Sequence, residues 1–310
     1  IDMLGVASID EGVDLRQAKI DCDILVLGAV PVWAIESAVK NDISIAIFNN
    51  AHLKACEQTF IRTGIKPKVH IKIDTGMNRI GVRADEAIEF IKDVQKAQYV
   101  NLQGIFTHLA AAEELDKTKL QIEKWDSVIN NIDTKGLILH ILNTVGTICY
   151  DVPNSNMRRV GIALYGLYPD FPPDIDFYKP KLKQLISLKG RIVNIHTVKD
   201  KEGVSYCHTY QAKGDRTIAT VPLGYADGIP RLLSNKITGT LNGVEVPQVG
   251  NITMDQMMFD ITGVEACAGD IITLLDDEKH SIDEWAKILH TINYELTCRL
   301  KVRLPRVYTR

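Results

Sequence analysis

The densest run of chemically capable residues is His70-Ile71-Lys72-Ile73-Asp74-Thr75-Gly76-Met77-Asn78-Arg79. In a strand over Val69–Ile73, His70, Lys72 and Asp74 share one face, and Ile71 and Ile73 the other. A polar file inside a protein costs free energy unless its members are paired. The segment is therefore either a solvated edge strand or a strand that delivers polar groups to a site. The Asp-Thr-Gly turn and Arg79 favour the second reading, because barrel enzymes carry their chemistry at strand carboxyl ends.

The same position recurs along the chain. Thr107-His108 follows one apolar run, Asn143-Thr144 the next, and Arg158-Arg159-Val160-Gly161-Ile162 comes after that. Asn143-Thr144 could cap a helix, or its hydroxyl and amides could hold a phosphate. Gly161 would admit close backbone approach to a ligand. A pair of arginines is ordinarily solvated, but one of them could hydrogen-bond a ligand ring or an anion. Further on, Ser205-Tyr206, Gly224-Tyr225-Ala226-Asp227-Gly228 and Met254-Asp255-Gln256 stand in turn contexts. A tyrosine acting as general base needs help, because an ordinary phenol with a pKa near ~10 stays protonated at neutral pH.

Positioning these residues requires alternating strands and helices. Apolar runs fall at Met3–Ala7, Ile24–Leu27, Ile43–Phe48, Val69–Ile73, Leu102–Phe106 and Ile138–Leu142, with a weaker seventh at Val160–Leu164. Amphipathic stretches such as Pro31–Lys40, Ala84–Gln95 and Lys117–Asn130 lie between them. Without a glycine-rich nucleotide fingerprint, this order predicts an α/β fold with a (β/α)8-type barrel rather than a doubly wound sheet. Seven strands are counted where such a barrel has eight. After about Pro180 short β-like runs dominate: Leu188–Val198, Arg216–Pro222, Gln248–Thr253, Met258–Ile261 and Ile271–Leu274, separated by turns such as Asn242-Gly243. One late helix spans Ser281–His290, with Ser281 and Glu284 as a capping box. The proline-rich stretch Pro169–Pro180 is the expected linker, which divides the chain into 1–178, a partial barrel, and 179–310, an all-β domain.

Composition narrows the classes. With 36 Lys and Arg against 39 Asp and Glu, the net charge of −3 gives no general field for nucleic acid or an anionic membrane. No apolar run approaches the ~20 residues of a spanning helix. The six cysteines lie far apart without zinc-like spacing and are expected to be reduced, mostly packed thiols of a cytoplasmic protein. No metal is expected. Ile1–Gly5 reads as neither signal nor transit peptide.

The segments together resemble the alanine racemase family. The resemblance is carried by Gly5-Val6-Ala7-Ser8-Ile9-Asp10-Glu11-Gly12, by Lys72-Ile73-Asp74-Thr75-Gly76-Met77-Asn78-Arg79 and by Thr107-His108. It continues through Arg159-Val160-Gly161-Ile162-Ala163-Leu164-Tyr165-Gly166, Ser205-Tyr206, Gly224-Tyr225-Ala226-Asp227-Gly228 and Met254-Asp255-Gln256, and closes at Arg303-Leu304-Pro305-Arg306-Val307-Tyr308. These matches run in family order over the whole chain. The resemblance implies pyridoxal 5'-phosphate as cofactor, a barrel followed by a β-domain, and a homodimer with shared active sites that takes a small-molecule amino acid.

By position, the resemblance makes Tyr206 the catalytic tyrosine and Arg159 the partner of the cofactor's pyridine nitrogen. His108 neighbours both. Asn143, Thr144, Gly161 and Ile162 fall among the cofactor contacts, with Thr144 where the family commonly has Ser. Lys72 matches a lysine that several members carry as a carbamate, which positions Arg79. Arg79, Met254 and Asp255 fall near the substrate carboxylate, and Tyr225 and Arg231 line the access channel.

One segment departs from the pattern. The family's cofactor lysine lies in a Val-Lys-Ala-x-Ala-Tyr-Gly-His-Gly stretch on the first barrel strand, and nothing in these 310 residues matches it. The expectation is an alanine racemase lacking its first βα unit, impaired as written. The intact protein would interconvert L- and D-alanine by two-base proton transfer on a pyridoxal-phosphate aldimine, supplying D-alanine for the cell wall. Tyr206 would serve one face and the missing lysine the other. Alternatives are a serine or broad small-amino-acid racemase, a non-catalytic cofactor-binding homologue, and a decarboxylase of the same architecture. The Gly-Tyr-Ala-Asp-Gly and Met-Asp-Gln segments favour the racemase over the decarboxylase.

Overall fold

The computed structural model describes residues 1–173, 175–300 and 303–309. The chain forms two compact units: Ile1–Gly161 with Asp170–Pro180, and Ile162–Pro169 with Lys181–Arg310. The proline-rich stretch is thus shared between them, its first residue going with the second unit and Asp170–Pro180 with the first.

The first unit is built on parallel strands β1 (Met3–Val6), β2 (Asp23–Val26), β3 (Ser44–Ile47), β4 (Lys68–Asp74), β5 (Val82–Arg83), β6 (Asn101–Phe106) and β7 (Ile138–His140). Their order is β1-β2-β3-β4-β6-β7, with the two-residue β5 beside β4. Helices α1 (Ile9–Gln17), α2 (Ile35–Lys40), α3 (Asn50–Thr63), α4 (Ala84–Lys96), α5 (Leu115–Ile129) and α6 (Thr144–Cys149) alternate with the strands. Strands of such sheets are covered on both faces, and every residue of β3 is buried accordingly. In β4 only the end residues Lys68 and Asp74 escape full burial, so this is a central strand between β3 and β6 and not a solvated edge. The expected strand at Val160–Leu164 is absent. Arg159 N–H bonds back to the Leu142 carbonyl and Gly161 N–H to the Thr144 hydroxyl, so these backbone groups serve a loop. Ile162–Tyr165 coils into a 3-10 turn.

The second unit carries β8 (Leu188–Arg191), β9 (Asn194–Val198), β10 (Gly203–Val204), β11 (Tyr210–Gln211), β12 (Arg216–Val221), β13 (Thr238–Leu241), β14 (Val244–Val249), β15 (Met257–Asp260) and β16 (Ile271–Leu275), then α7 (Ile282–Leu289) and α8 (Asn293–Arg299). Seven of these strands form one antiparallel sheet, β8-β16-β13-β14-β15-β12-β9, and β10 and β11 form a separate hairpin. The run Leu188–Val198 is two strands, because the Ile192 and Val193 amides bond elsewhere, to Asp270 and Thr220. The run expected at Gln248–Thr253 is a strand only through Val249, since Gly250 takes a positive φ of 74°. The hairpin β13–β14 turns at Asn242-Gly243, with φ of 50° and 81°, the pairing a two-residue hairpin loop needs. Thr238–Leu241 is a strand with little sequence signal, because Gly239 interrupts its apolar pattern. A Cβ there would stand 2.6 Å from Ile272. Helix α7 starts as expected, with Ser281 Oγ accepting the Glu284 amide, which is half of a capping box.

All six thiols are free, but the expectation of mostly packed thiols fails: Cys207, Cys267 and Cys298 are exposed and only Cys56 is fully buried. Among the described residues no helix is long and apolar enough to cross a membrane. Nor do three His, Cys, Asp or Glu gather there to hold a metal ion.

Candidate active-site residues in the two units

In the first unit the chemistry converges on Arg159. Its Nη1 donates to the His140 carbonyl at 2.8 Å and to His140 Nδ1 at 2.9 Å. Its Nη2 donates to the Thr107 carbonyl at 2.7 Å, and reaches the Ile141 carbonyl and His108 Nδ1 at 3.3 Å each. All these acceptors are neutral, and they come from the carboxyl ends of β6 and β7 and the residues just beyond. Burial alone lowers the guanidinium to about 10. No carboxylate offsets its charge, and its Nε–H has no partner among the described residues. A buried cation surrounded only by neutral acceptors, with one donor free, suits an electron-rich ring nitrogen. Of the adjacent arginines, Arg158 is the exposed one.

The cation fixes the histidines around it. Burial first, and Arg159 second, lower His70 and His108 to about 4 each, with Lys72 and Arg79 adding to the effect at His108. His140 lies well below its ordinary value for the same two leading reasons. All three imidazoles are therefore neutral near pH 7. Because Arg159 donates to His140 Nδ1, His140 carries its proton on Nε2, which faces His70 Nδ1 at 3.0 Å. His70 in turn carries its proton on Nε2, and that buried atom has no partner among the described residues. Phe106 stacks on His140 with ring centroids 4.7 Å apart, and Lys72 Nζ lies 5.3 Å above the Phe106 ring.

Lys72 is 4% exposed and lowered to about 8, by burial first and then by Arg79 and Arg159, against the opposing effect of Asp74. Its Nζ reaches the Leu27 carbonyl at 3.5 Å. Arg79 is exposed in the loop after β4. Asp74 shapes that loop, its Oδ1 accepting the Gly76 and Asn78 amides. Asn143 caps α6 through the Gly146 amide at 2.9 Å, and the Thr144 hydroxyl accepts the Gly161 amide at 2.9 Å. A Cβ on Gly161 would meet only Thr144 Oγ1, at 3.9 Å.

Two partners in this set were not singled out in the sequence. His140 ends β7 in a run that is otherwise apolar. Gln121, on the buried face of α5, donates to Thr75 Oγ1 at 3.0 Å and to the His108 carbonyl at 3.1 Å, and accepts the Ala110 amide at 2.7 Å. Thr75 and Thr107 meet at 2.9 Å, so the loops after β4 and β6 are held together.

In the second unit Ile162 packs its side chain into the hydrophobic core, which leaves only its backbone for binding. Tyr206 is 72% exposed in the loop of the β10–β11 hairpin. It borders a cavity of about 590 Å³ lined also by Ser205, His208, Thr253 and Gln256. Tyr225, Met254 and Asp255 are brought together, because the Tyr225 amide bonds the Thr253 carbonyl at 3.0 Å and the Ala226 amide the Met254 carbonyl at 3.0 Å. Arg303 spans Asp227 at 2.6 Å and Asp255 at 2.7 Å, tying both loops to the chain's last segment. Arg231 is exposed at the start of a 3-10 turn, Arg231–Leu233. Asn251, absent from the sequence expectations, donates to the Tyr206 carbonyl at 2.7 Å.

The chain is similar to known proteins over nearly all its length. Family profiles described as alanine racemase, N-terminal domain, and alanine racemase, C-terminal domain, match residues 1–169 and 185–308. An alanine racemase of Methanococcus maripaludis is 36% identical, covering 99% of this chain and 84% of its own length. The solved alanine racemase of Clostridium difficile 630 superposes with a TM-score of 0.92 at 36% identity, covering 100% of this chain and 82% of its own. A histidine racemase of Leuconostoc mesenteroides subsp. sake matches with a TM-score of 0.90 at 27% identity, covering 99% and 83%. The chain belongs to the alanine racemase family, whose members are isomerases dependent on pyridoxal 5'-phosphate.

Proposed function

We propose that this chain interconverts L- and D-alanine, with Arg159 facing the cofactor's pyridine nitrogen and Tyr206 moving a proton on one face of the substrate's α-carbon. The observation that carries the reading is the buried Arg159 guanidinium, held by neutral acceptors and keeping its Nε–H free. When bound, pyridoxal 5'-phosphate supplies a conjugated ring that withdraws electrons from the substrate and acidifies its α-proton. An arginine at the ring nitrogen disfavours a second positive charge there, which tempers that withdrawal and restrains side reactions. Thr144, Asn143 and the backbone at Gly161 and Ile162 hold the phosphate. His108 orients Arg159 from the loop after β6.

Lys72, lowered to about 8, carries a larger neutral fraction near pH 7 than an ordinary lysine. As a carbamate it would exchange repulsion of Arg79 for attraction, and Arg79 would then receive the substrate carboxylate, with Met254 and Asp255 near it in this reading. Tyr225 and Arg231 line the access channel. The working unit in this reading is a cytoplasmic homodimer with shared sites that supplies D-alanine. The family's Val-Lys-Ala-x-Ala-Tyr-Gly-His-Gly stretch does not occur in these 310 residues, and Tyr206 is the one base assigned from them.

Titration of pyridoxal 5'-phosphate into the protein, followed by its absorbance, tests the site. The expected result is saturable binding that Arg159→Gln and Thr144→Val each weaken. No saturable binding, or binding that neither variant alters, would overturn the reading. A second reading, a racemase of broader range, is favoured by the similarity to a histidine racemase. Chiral chromatography after incubation with alanine, serine and histidine separates the two.

A further inference from the structure

The backbone around Tyr206 is strained in a specific way. Ser205, Cys207 and His208 take positive φ values of 64°, 62° and 44°, although none is glycine. L-residues avoid this region, and such clusters persist only where the surroundings enforce them. Two segments of the second unit do so. The Ser205 hydroxyl donates to the Asn251 carbonyl at 2.7 Å, and Asn251 Nδ2 donates back to the Tyr206 carbonyl at 2.7 Å. Asn251 is 7% exposed, so its amide is committed to this contact.

The clamp is itself braced. Gly250 brings the chain so close that a Cβ there would stand 2.6 Å from the Val204 carbonyl oxygen. The Gly250 amide donates to Asn235 Oδ1 at 2.6 Å, and Asn235 Nδ2 donates to Thr209 Oγ1 at 3.1 Å. Buried Gln248 accepts the Asn235 amide at 2.7 Å and donates to the Gly250 carbonyl at 2.9 Å. The loop bearing Tyr206 is therefore tied at its start by buried Asn251 and at its end by exposed Asn235, and buried Gln248 bonds both Asn235 and the neighbouring Gly250. Fully satisfied networks of this kind are rigid.

We infer that Asn251 is a positioning residue for Tyr206, holding the strained Ser205–His208 turn in the one conformation that presents the phenol. The inference deepens the reading of Tyr206 as a base and rests on it for its functional meaning, although the clamp itself is a property of the second unit. An unclamped turn would relax toward negative φ and carry the phenol elsewhere.

The test uses the full chain with ¹³C-labelled tyrosine, the Tyr206 signal being the one lost in Tyr206→Phe. Asn251→Asp is near in size but turns a donor into an acceptor facing the Tyr206 carbonyl, and Ser205→Ala removes the reciprocal bond. Expected are a shifted or broadened Tyr206 signal with the other tyrosines unmoved, and roughly tenfold faster amide exchange at Cys207 and His208, the ratio for a lost hydrogen bond. Should Asn251→Asp fail to fold, Ser205→Ala alone decides. An unchanged Tyr206 signal and exchange in the folded variants would overturn the inference, as would a fall in melting temperature with the signal unmoved. Failure of the underlying reading shows separately, as α-proton exchange of alanine that persists in Tyr206→Phe with pyridoxal 5'-phosphate bound.

Discussion

Arg159 grips His140 twice, through the carbonyl oxygen at 2.8 Å and through Nδ1 at 2.9 Å, so one residue both holds the buried cation and has its own tautomer fixed by it. Removing the imidazole leaves Arg159 one acceptor short and His70 Nδ1 without its donor. His140→Leu is expected to lower stability by about 2–4 kcal/mol, combining unsatisfied buried polar groups with imperfect packing against Phe106. Urea denaturation at pH 7.5 measures this.

The same cluster sets a pH dependence. Folded, burial and the Arg159 charge hold His70 and His108 at about 4 and His140 well below its ordinary value. Unfolded, all three return to about 6.5. Below that value the unfolded chain takes up protons that the folded chain does not, so stability falls as the pH drops from about 6.5 toward 4 and is fully retained above it. Each histidine contributes up to about 1.4 kcal/mol per pH unit across that window. Denaturation midpoints should hold from pH 7.5 to about 6.5 and fall from there to pH 5, before most carboxylates titrate. A flat profile would contradict the neutral-imidazole assignment.

Gly104 leaves the space that the His70 ring uses. A methyl there would stand 2.5 Å from His70 Nδ1 and 2.5 Å from the Ile138 carbonyl oxygen. Gly104→Ala is expected to cost about 1–3 kcal/mol, as overpacking does, and to break the His70–His140 bond. Thermal melts and the imidazole proton resonances report the two effects.

In the second unit, Asp227 and Asp255 share Arg303 but differ in burial, at 6% and 59% side-chain exposure. Asp227 Oδ2 also accepts the Gly224 amide at 2.8 Å. Asp227→Ala is therefore expected to destabilise by about 1–3 kcal/mol, the cost of a buried donor left unpaired, and Asp255→Ala by clearly less. Equal melting temperatures for the two variants would show that Arg303, not the buried carboxylate, holds the loops.

Much of this arrangement was legible in residue order. Short apolar runs placed β1–β4, β6 and β7, and the alternation of His70, Lys72 and Asp74 marked β4 as unusual, because a polar file on a buried strand has few innocent explanations. Val160–Leu164 misled because an apolar run shows only that side chains are buried, not that its amides find a neighbouring strand. His140 was invisible for the converse reason: its importance comes from Arg159, nineteen residues on by number and adjacent only in space. Gln121 and Asn251 likewise act through backbone groups of distant loops, which no local spacing encodes. Of the candidate residues, Lys72, Arg79, His108 and Arg159 do gather in the first unit, and Tyr225, Met254 and Asp255 in the second.

In the proposed reaction Tyr206 moves the proton on one face of the substrate's α-carbon. Proton NMR of L- and D-alanine incubated in D₂O with the purified chain and pyridoxal 5'-phosphate tests it most directly. Expected is α-deuterium incorporation into alanine that Tyr206→Phe abolishes for at least one enantiomer. Exchange of both enantiomers that survives Tyr206→Phe would contradict that role.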